Sequence, residues 1–203
     1  MGKYISIRFV EIAGFAAVLE ALHLPFGKEC KSATKSDFLC TGAGMEVERT
    51  MATESFCKVS PSDLNLLNRL IKAGDQHAKA VRGIMVWLEI DAPRYWWVEM
   101  DTYRVGTDRI ASESTMHIQG KGLSTQELVQ MKEELKEGTM QKRMQVFSYQ
   151  TLRRIYFQRH NHRLPHWQEF CKFIEQLPFA QELILAGLDG KPNGDEKKEE
   201  AKA

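Results

Sequence analysis

Alternating hydrophobic and polar residues mark two stretches of the chain, and each of them predicts a strand. Residues 4–10 (YISIRFV) alternate along their length, and in residues 82–90 the apolar side chains stand at every second position from 84 onward. Successive side chains of a strand point to opposite faces, so a period of two indicates a half-buried strand. Asp91-Ala92-Pro93 is predicted to end the second strand.

Helical spacing and start signals predict three helices outside these strands. The apolar, Ala-rich residues 14–22 predict a short first helix. Ser60-Pro61 supplies a favoured N-cap followed by proline at the first helical position, and Gly74 is predicted to end that second helix. Ser124–Glu127 has the pattern of a capping box, which predicts a helix running to about residue 136.

Further helices are predicted around these three. The Trp96-Trp97 pair is placed in a helix that follows the second strand, and Met140–Arg159 is predicted to be one long helix because its apolar residues recur at helical spacing. Leu164-Pro165 is predicted to start another helix, and a last one is predicted over residues 177–187. Strands that are followed by several helices predict the α+β class.

Composition limits the organisation and the partners. The chain has 203 residues and suits one domain, placed at residues 1–188, followed by a disordered charged tail at 189–203. Residues 27–44 are predicted to be a loop, and a strand is predicted through Val47. The formal net charge is +1, with 28 basic and 27 acidic residues, so no global charge attracts nucleic acid or a membrane surface.

The cysteines indicate a reducing compartment. The chain has four cysteines, with no CxxC spacing and no secretory signal, and no stretch is apolar enough to span a membrane. A cytoplasmic protein is therefore expected. Cys57 or Cys171 as a nucleophile is the open alternative, although the sequence gives neither an activating partner.

The most informative segment runs from residue 77 to residue 112. His77 is followed by the strand that ends at Ala92-Pro93, then by a helix, by Thr102-Tyr103-Arg104 and, after seven residues, by Ser112. This order resembles the flavin-dependent thymidylate synthases, which have a histidine, a strand ending near Ala-Pro, a helix, Arg-His-Arg, seven residues and a serine. Only the last member of the Arg-His-Arg triplet is retained here.

Other positions depart from the family pattern, and a second segment matches it. Arg109-Ile110 stands where the family has Asn-Glu, and Ser114-Thr115 stands where it has Arg-Tyr. Downstream, Ser148–Leu152 leads to Arg159, similar to the family's long helix with an Asn-x-x-Ser-Leu start. Pro165–Glu169 resembles the family's His-Ala-Gln-Trp-Glu helix after a slip of one residue.

The resemblance implies a fold and a function. It implies a small antiparallel sheet packed with long helices, and a homotetramer that binds FAD and deoxyuridine monophosphate (dUMP) across its interfaces. The implied activity transfers a methylene group from folate to C5 of the pyrimidine with reduced flavin, with NADPH as a further cosubstrate.

Five residues receive roles from the same resemblance. Arg104 is expected to contact the nucleotide phosphate or the flavin, and Ser112 to hydrogen-bond the nucleotide. Arg159 is expected to polarise the pyrimidine, which makes Ser112 and Arg159 the catalytic candidates. His77 is expected near the flavin. Arg109 is expected to bind substrate and to compensate for the arginine missing from the triplet.

Two alternatives use other properties of the chain. The first is a catalytically inactive homologue that acts as a binding or structural oligomer. The second is a nucleic-acid-binding module that uses a run of basic residues, although the balanced net charge disfavours it. That run comprises Arg143, Arg153, Arg154, Arg159 and Arg163.

Two further motifs are weak. A zinc site from His160, His162, His166 and Cys171 is disfavoured, because Pro165 interrupts the helical spacing and no acidic residue completes a HExxH pattern. The string Arg159–Arg163 has a superficial likeness to an HNH nuclease core, but the surrounding pattern is helical.

Overall fold

The computed structural model describes residues 4–27, 40–41, 59–74 and 76–187. The strand predicted through Val47 and the predicted tail at 189–203 lie outside the described residues. So does the predicted loop at 27–44, apart from residue 27 and the two residues at 40–41. None of the described helices is long and apolar enough to cross a membrane.

One antiparallel sheet organises the described part of the chain. Its five strands lie in the order β2-β1-β3-β5-β4. They are β1 (Ser6–Ala13), β2 (Cys40–Thr41), β3 (Met85–Pro93), β4 (Thr107–Ser112) and β5 (Met140–Ser148). All neighbouring strands are antiparallel. A small antiparallel sheet combined with helices confirms the predicted α+β fold.

Eight α-helices accompany the sheet in the same described ranges. They are α1 (Phe15–His23), α2 (Pro61–Lys72), α3 (Arg94–Met100), α4 (Thr115–Ile118), α5 (Thr125–Glu133), α6 (Tyr149–Arg159), α7 (Pro165–Ile174) and α8 (Ala180–Leu183). Short 3-10 segments occupy Leu24–Phe26 and Ala78–Gly83. The start signals of two helices are confirmed. Ser60 caps α2 by accepting from the Asp63 N–H, and Ser124 and Glu127 form the capping box of α5.

The long helix predicted over Met140–Arg159 is wrong in its first half. Residues 140–148 form the strand β5, which pairs with β3 on one side and with β4 on the other. Hydrogen bonding to two strands outweighs a helical pattern that the local sequence also allows. Ser148 ends the strand and caps α6, its side chain accepting from the Thr151 N–H.

Other elements also differ from the predictions, including β1, which runs from Ser6 to Ala13 rather than over residues 4–10. Strand β4 was not predicted, because its residues are mostly polar and exposed and lack a buried alternating face. Helix α5 ends at Glu133 rather than near residue 136. Helix α8 covers only Ala180–Leu183, since Phe179 before it adopts a left-handed backbone with φ of 53°.

Three tryptophans form the centre of the core. Trp96 and Trp97 of α3 and Trp167 of α7 have no exposed surface. The ring centroid of Trp96 lies 4.9 Å from that of Trp97, 4.8 Å from that of Trp167 and 5.6 Å from that of Phe170. Removing a buried aromatic ring of this kind costs about 3–5 kcal/mol of stability. This packing holds α3 against α7.

The opposite face of the sheet contains an unpartnered carboxylate. Asp91 of β3 lies opposite Lys142 of β5, and its Oδ1 atom is buried and accepts no hydrogen bond. Burial raises the pKa of Asp91, and the negative charge of Glu113 adds to this effect. The ionised form of Asp91 therefore opposes folding.

We predict that Asp91→Asn stabilises the protein at neutral pH. Because the folded-state pKa of Asp91 lies above its unfolded-state value, the protonated form stabilises the fold at low pH, and this contribution is lost as the pH rises through the folded-state pKa. The stability advantage of the variant should therefore grow with pH.

Denaturant unfolding between pH 4 and pH 7 measures this difference, with Asp108→Asn as the control because Asp108 is exposed on β4 and lies on the same face. An Asp91→Asn variant whose stability relative to the parent protein does not change with pH would contradict the prediction.

Candidate functional site

The loop between α3 and β4, residues 101–106, is held at both ends. At the α3 end, the Asp101 N–H donates to Trp97 O at 2.8 Å and the Tyr103 N–H donates to Met100 O at 3.0 Å. At the other end, the Ser148 N–H donates to Gly106 O at 2.7 Å. The positions of Arg104 and of the start of β4 are thereby fixed.

Gly106 makes this second attachment possible. Its φ is +74°, and a Cβ atom at this position would meet the hydroxyl oxygens of Thr151 and Ser148. These two hydroxyls lie 3.0 Å apart, and Thr151 Oγ1 also donates to Val105 O at 2.7 Å. Only a glycine therefore allows the loop to approach the start of α6 this closely.

Arg159 lies in a polar cluster with Glu99, Tyr103, His162 and Trp167, which we call the Arg159 cluster. Arg159 Nε donates to Tyr103 Oη at 2.9 Å, and Arg159 Nη1 donates to Glu99 Oε2 at 2.9 Å. The guanidinium carbon lies 4.7 Å from the ring centroid of Trp167. His162 Nε2 lies 2.9 Å from Arg159 Nη1.

The guanidinium of Arg159 is paired with other side chains of the cluster. Trp167 Nε1 donates to the same Glu99 oxygen at 2.9 Å, so Glu99 joins α3, α6 and α7. Tyr103 is buried and donates from its hydroxyl to Gln158 Oε1 at 2.8 Å. The positive charge of Arg159 is therefore compensated within the protein, although 20% of its side chain remains exposed.

A second group of polar residues lies on the edge strand β4. In the register of the sheet, Arg109 pairs with Gln145 and Ser112 pairs with Arg143. Side chains of directly paired residues lie on the same face of a sheet. The exposed Arg109 and Ser112 therefore lie on the same face as the buried Gln145 and Arg143.

Arg143 is buried against α3. Its Nη1 donates to the two carboxylate oxygens of Asp101 at 2.9 and 3.1 Å, and its Nε and Nη2 donate to Gln141 Oε1 at 3.2 and 3.1 Å. Its guanidinium carbon lies 4.4 Å from the ring centroid of Trp97. Burial lowers the pKa of Arg143, and the charges of Arg109 and Arg94 lower it further, whereas Asp101 raises it.

Gln145 has one unsatisfied polar end. Gln145 is 3% exposed. Its Nε2 donates to Thr107 Oγ1 at 3.0 Å, whereas its Oε1 is buried without a hydrogen-bond partner. An unpaired buried polar group costs about 1–3 kcal/mol of stability.

Four of the five predicted site residues lie on β4, in the loop before β4 or at the end of α6. Arg104 is exposed in the loop beside Tyr103, Arg109 and Ser112 are exposed on β4, and Arg159 belongs to the cluster that Tyr103 joins. His77 is exposed just before the 3-10 segment Ala78–Gly83. Among the described residues, no hydrogen bond or ion pair connects His77 to the other four.

Two polar residues of this region were missed by the sequence analysis. Glu99 could have been found as an acidic residue inside an otherwise apolar helix, three residues after Trp96. Gln145 could be found only once residues 140–148 were recognised as a strand, because its position then falls on the buried face with Phe147.

The alternative chemistries find little support in the described ranges. No group of three metal-ligating side chains comes together there. His160 stacks on Tyr156, and His166 Nε2 lies 2.8 Å from the Tyr95 hydroxyl. The basic run is not one exposed stripe, because Arg143 and Arg153 are buried, and Arg153 donates to the carbonyl oxygens of Ile184 and Ala186.

Comparison with known proteins gives a fold relationship. No protein-family model matches the chain, and no curated protein matches it. Two solved structures of the flavin-dependent thymidylate synthase ThyX from Helicobacter pylori, both with FAD and dUMP, are similar to it. In each case the TM-score is 0.59 and the identity 11%, over 88% of this chain and 97% of the ThyX chain. The two proteins therefore share a fold over nearly their whole length.

We predict that Gly106→Ala destabilises the protein by about 2 kcal/mol or more, because it combines an unfavourable φ with a steric clash. Gly122→Ala is the matched control, since Gly122 has a φ of +86° and nothing within 4 Å of the added Cβ. Denaturant unfolding of both variants separates the two contributions. Equal losses in the two variants would show that the contact with Ser148 and Thr151 is unimportant.

We also predict that Cys171 does not react as a thiolate in the native protein. Its side chain is buried, and burial raises the pKa of the thiol to about 12. In a variant with serine at Cys30, Cys40 and Cys57, a thiol reagent at pH 8 should react only after denaturation. Rapid reaction in the native state would restore Cys171 as a nucleophile candidate.

Proposed function

We propose that this protein is a divergent flavin-dependent thymidylate synthase-like protein that binds FAD and a pyrimidine deoxynucleotide such as dUMP. The observation that carries the proposal is the exposure of Arg109 and Ser112 on one face of the edge strand β4, with Arg104 exposed in the loop just before that strand. The fold shared with ThyX, whose solved structures contain FAD and dUMP, supports the ligand class.

The residues present suit a nucleotide phosphate. Guanidinium groups make strong, charge-assisted hydrogen bonds to phosphate oxygens, and a serine hydroxyl can donate one more. In this proposal Arg109 supplies, from β4, the positive charge that Thr102 lacks. Arg104 contacts the phosphate or the flavin, and Ser112 holds the nucleotide.

The flavin would supply reducing equivalents and folate the one-carbon unit for modification at C5 of the pyrimidine, with NADPH as the further cosubstrate. Arg159 would polarise the pyrimidine ring with the part of its guanidinium that remains exposed. His77 makes no hydrogen bond or ion pair with these residues in the described part of the chain. We therefore propose that His77 contacts the flavin in a site shared between the subunits of a homotetramer. The same proposal places the protein in the cytoplasm.

One observation favours a second candidate function. Glu99 compensates the charge of Arg159, and Tyr103 occupies its Nε, so this arginine has less capacity to stabilise negative charge on a pyrimidine. A protein that retained the fold and lost catalysis, acting as a binding or structural oligomer, would have such an arginine.

We predict that the purified protein, after incubation with FAD and removal of free flavin, retains flavin absorbance that dUMP perturbs. Arg104→Ala should weaken flavin or dUMP binding by about tenfold to a hundredfold, the cost of one charged hydrogen bond. The control is Arg69→Ala, because Arg69 is exposed on α2.

Turnover of dUMP with folate and NADPH then separates the two candidate functions. Bound flavin with formation of a methylated product supports the enzyme. A protein that is colourless with and without dUMP would contradict flavin binding and leave the structural oligomer as the better account.

A further inference from the structure

We propose that Arg94, Arg109 and Arg143 form an oxyanion site that takes the phosphate group of the nucleotide. We call these residues the arginine trio. The inference rests on the proposed function, since it assigns the phosphate end of that ligand. It adds two residues, Arg94 and Arg143, that the resemblance to known enzymes does not supply.

The spacing of residues on α3 places Arg94 beside Arg143. Arg94, Trp97 and Asp101 stand at intervals of three and four residues, which places them on one face of the helix. Arg143 lies over the Trp97 ring and binds Asp101, so its guanidinium follows this face. Arg94 stands one turn before Trp97 on the same face.

The register of the sheet places Arg109 on the other side of Arg143. Arg109 pairs with Gln145, which is two residues from Arg143 along β5. Diagonal neighbours of this kind lie about 7–8 Å apart between their Cα atoms, within reach of long side chains. The charges of both Arg109 and Arg94 act on Arg143, which supports the same arrangement.

The arginine trio has more positive charge than its surroundings compensate. Asp101 is the one carboxylate that pairs with Arg143 in the described part of the chain, and neither Arg94 nor Arg109 forms an ion pair there. Three guanidinium groups and one carboxylate leave an excess of positive charge. An oxyanion bound between them would remove the repulsion.

Two buried atoms beside the trio lack partners. Arg94 Nε is buried without an acceptor, and Gln145 Oε1 is buried without a donor. The Arg94 donor suits a phosphate oxygen, whereas the unpaired Gln145 atom is an acceptor and would need a donor such as a neighbouring guanidinium. The exposed Arg109 and Ser112 give a ligand access to this position from solvent.

The proposal predicts that removing the charge of Arg94 or of Arg109 raises the stability of the free protein and weakens its binding of oxyanions. Arg94→Gln and Arg109→Gln should each raise the melting temperature in chloride buffer, because each removes a repelling charge. Both variants should lose the thermal stabilisation that inorganic phosphate gives the parent protein at matched ionic strength. Arg69→Gln, which makes the same charge change on α2, should behave like the parent protein.

A comparison of the binding of dUMP with that of deoxyuridine, which lacks the phosphate, shows whether the variants affect binding of the phosphate group. Each trio variant should weaken dUMP binding by about tenfold or more and leave deoxyuridine binding unchanged. Variants that are less stable than the parent protein in chloride and still respond to phosphate would overturn the proposal. So would equal losses of affinity for dUMP and for deoxyuridine.

The same experiments distinguish this inference from the proposed function. Binding of FAD and dUMP that Arg109→Gln weakens but Arg94→Gln does not change refutes the arginine trio and leaves the proposed function intact. Phosphate stabilisation that depends on the trio, without binding of FAD or dUMP, supports an oxyanion site at the trio and refutes both its assignment to a nucleotide and the proposed function.

Discussion

The packing of α3 against the sheet is the constraint on which the candidate site depends. Trp96 and Trp97 anchor this helix in the core, and Trp97 Nε1 donates to Gln141 O at 2.8 Å, which ties the helix to β5. Glu99, Asp101 and Tyr103 all follow within six residues of Trp97. A shift of α3 would therefore move the partners of both Arg143 and Arg159 together.

Arg143 and Arg159 both contact residues of α3 and of the loop after it, but their positive charges are compensated to different extents. Arg159 is compensated by Glu99 and held by Tyr103, so its charge is largely used within the protein. Arg143 pairs with one carboxylate, that of Asp101, and the positive charges of two further arginines, Arg94 and Arg109, act on it. More positive charge is therefore left uncompensated beside the edge strand β4 than at the end of α6.

The sequence predicted the elements whose signals are local. The N-cap of α2, the capping box of α5 and strand β3 each depend on a few neighbouring residues, and all three are present. Strand β5 was mistaken for a helix because its apolar spacing suits both structures, and only pairing with β3 and β4 decides between them. Strand β4 has little local signal, since it is an exposed edge.

The candidate site was predictable to a similar extent. The resemblance assigned Arg104 and Ser112 to one site; Arg104 lies in the loop before β4, and Ser112 is the last residue of that strand. The partners of the arginines could not be predicted, because Glu99, Gln145 and Arg143 come from separate elements. Their contacts depend on the sheet register and on the packing of α3, which are properties of the whole fold.

A crystal structure of the protein with dUMP tests the central claim most directly. The account predicts nucleotide density on the edge of β4, with the phosphate within hydrogen-bonding distance of Arg109 and Ser112 and beside the Arg143 guanidinium. A nucleotide bound elsewhere, or with its phosphate turned away from β4, would contradict it.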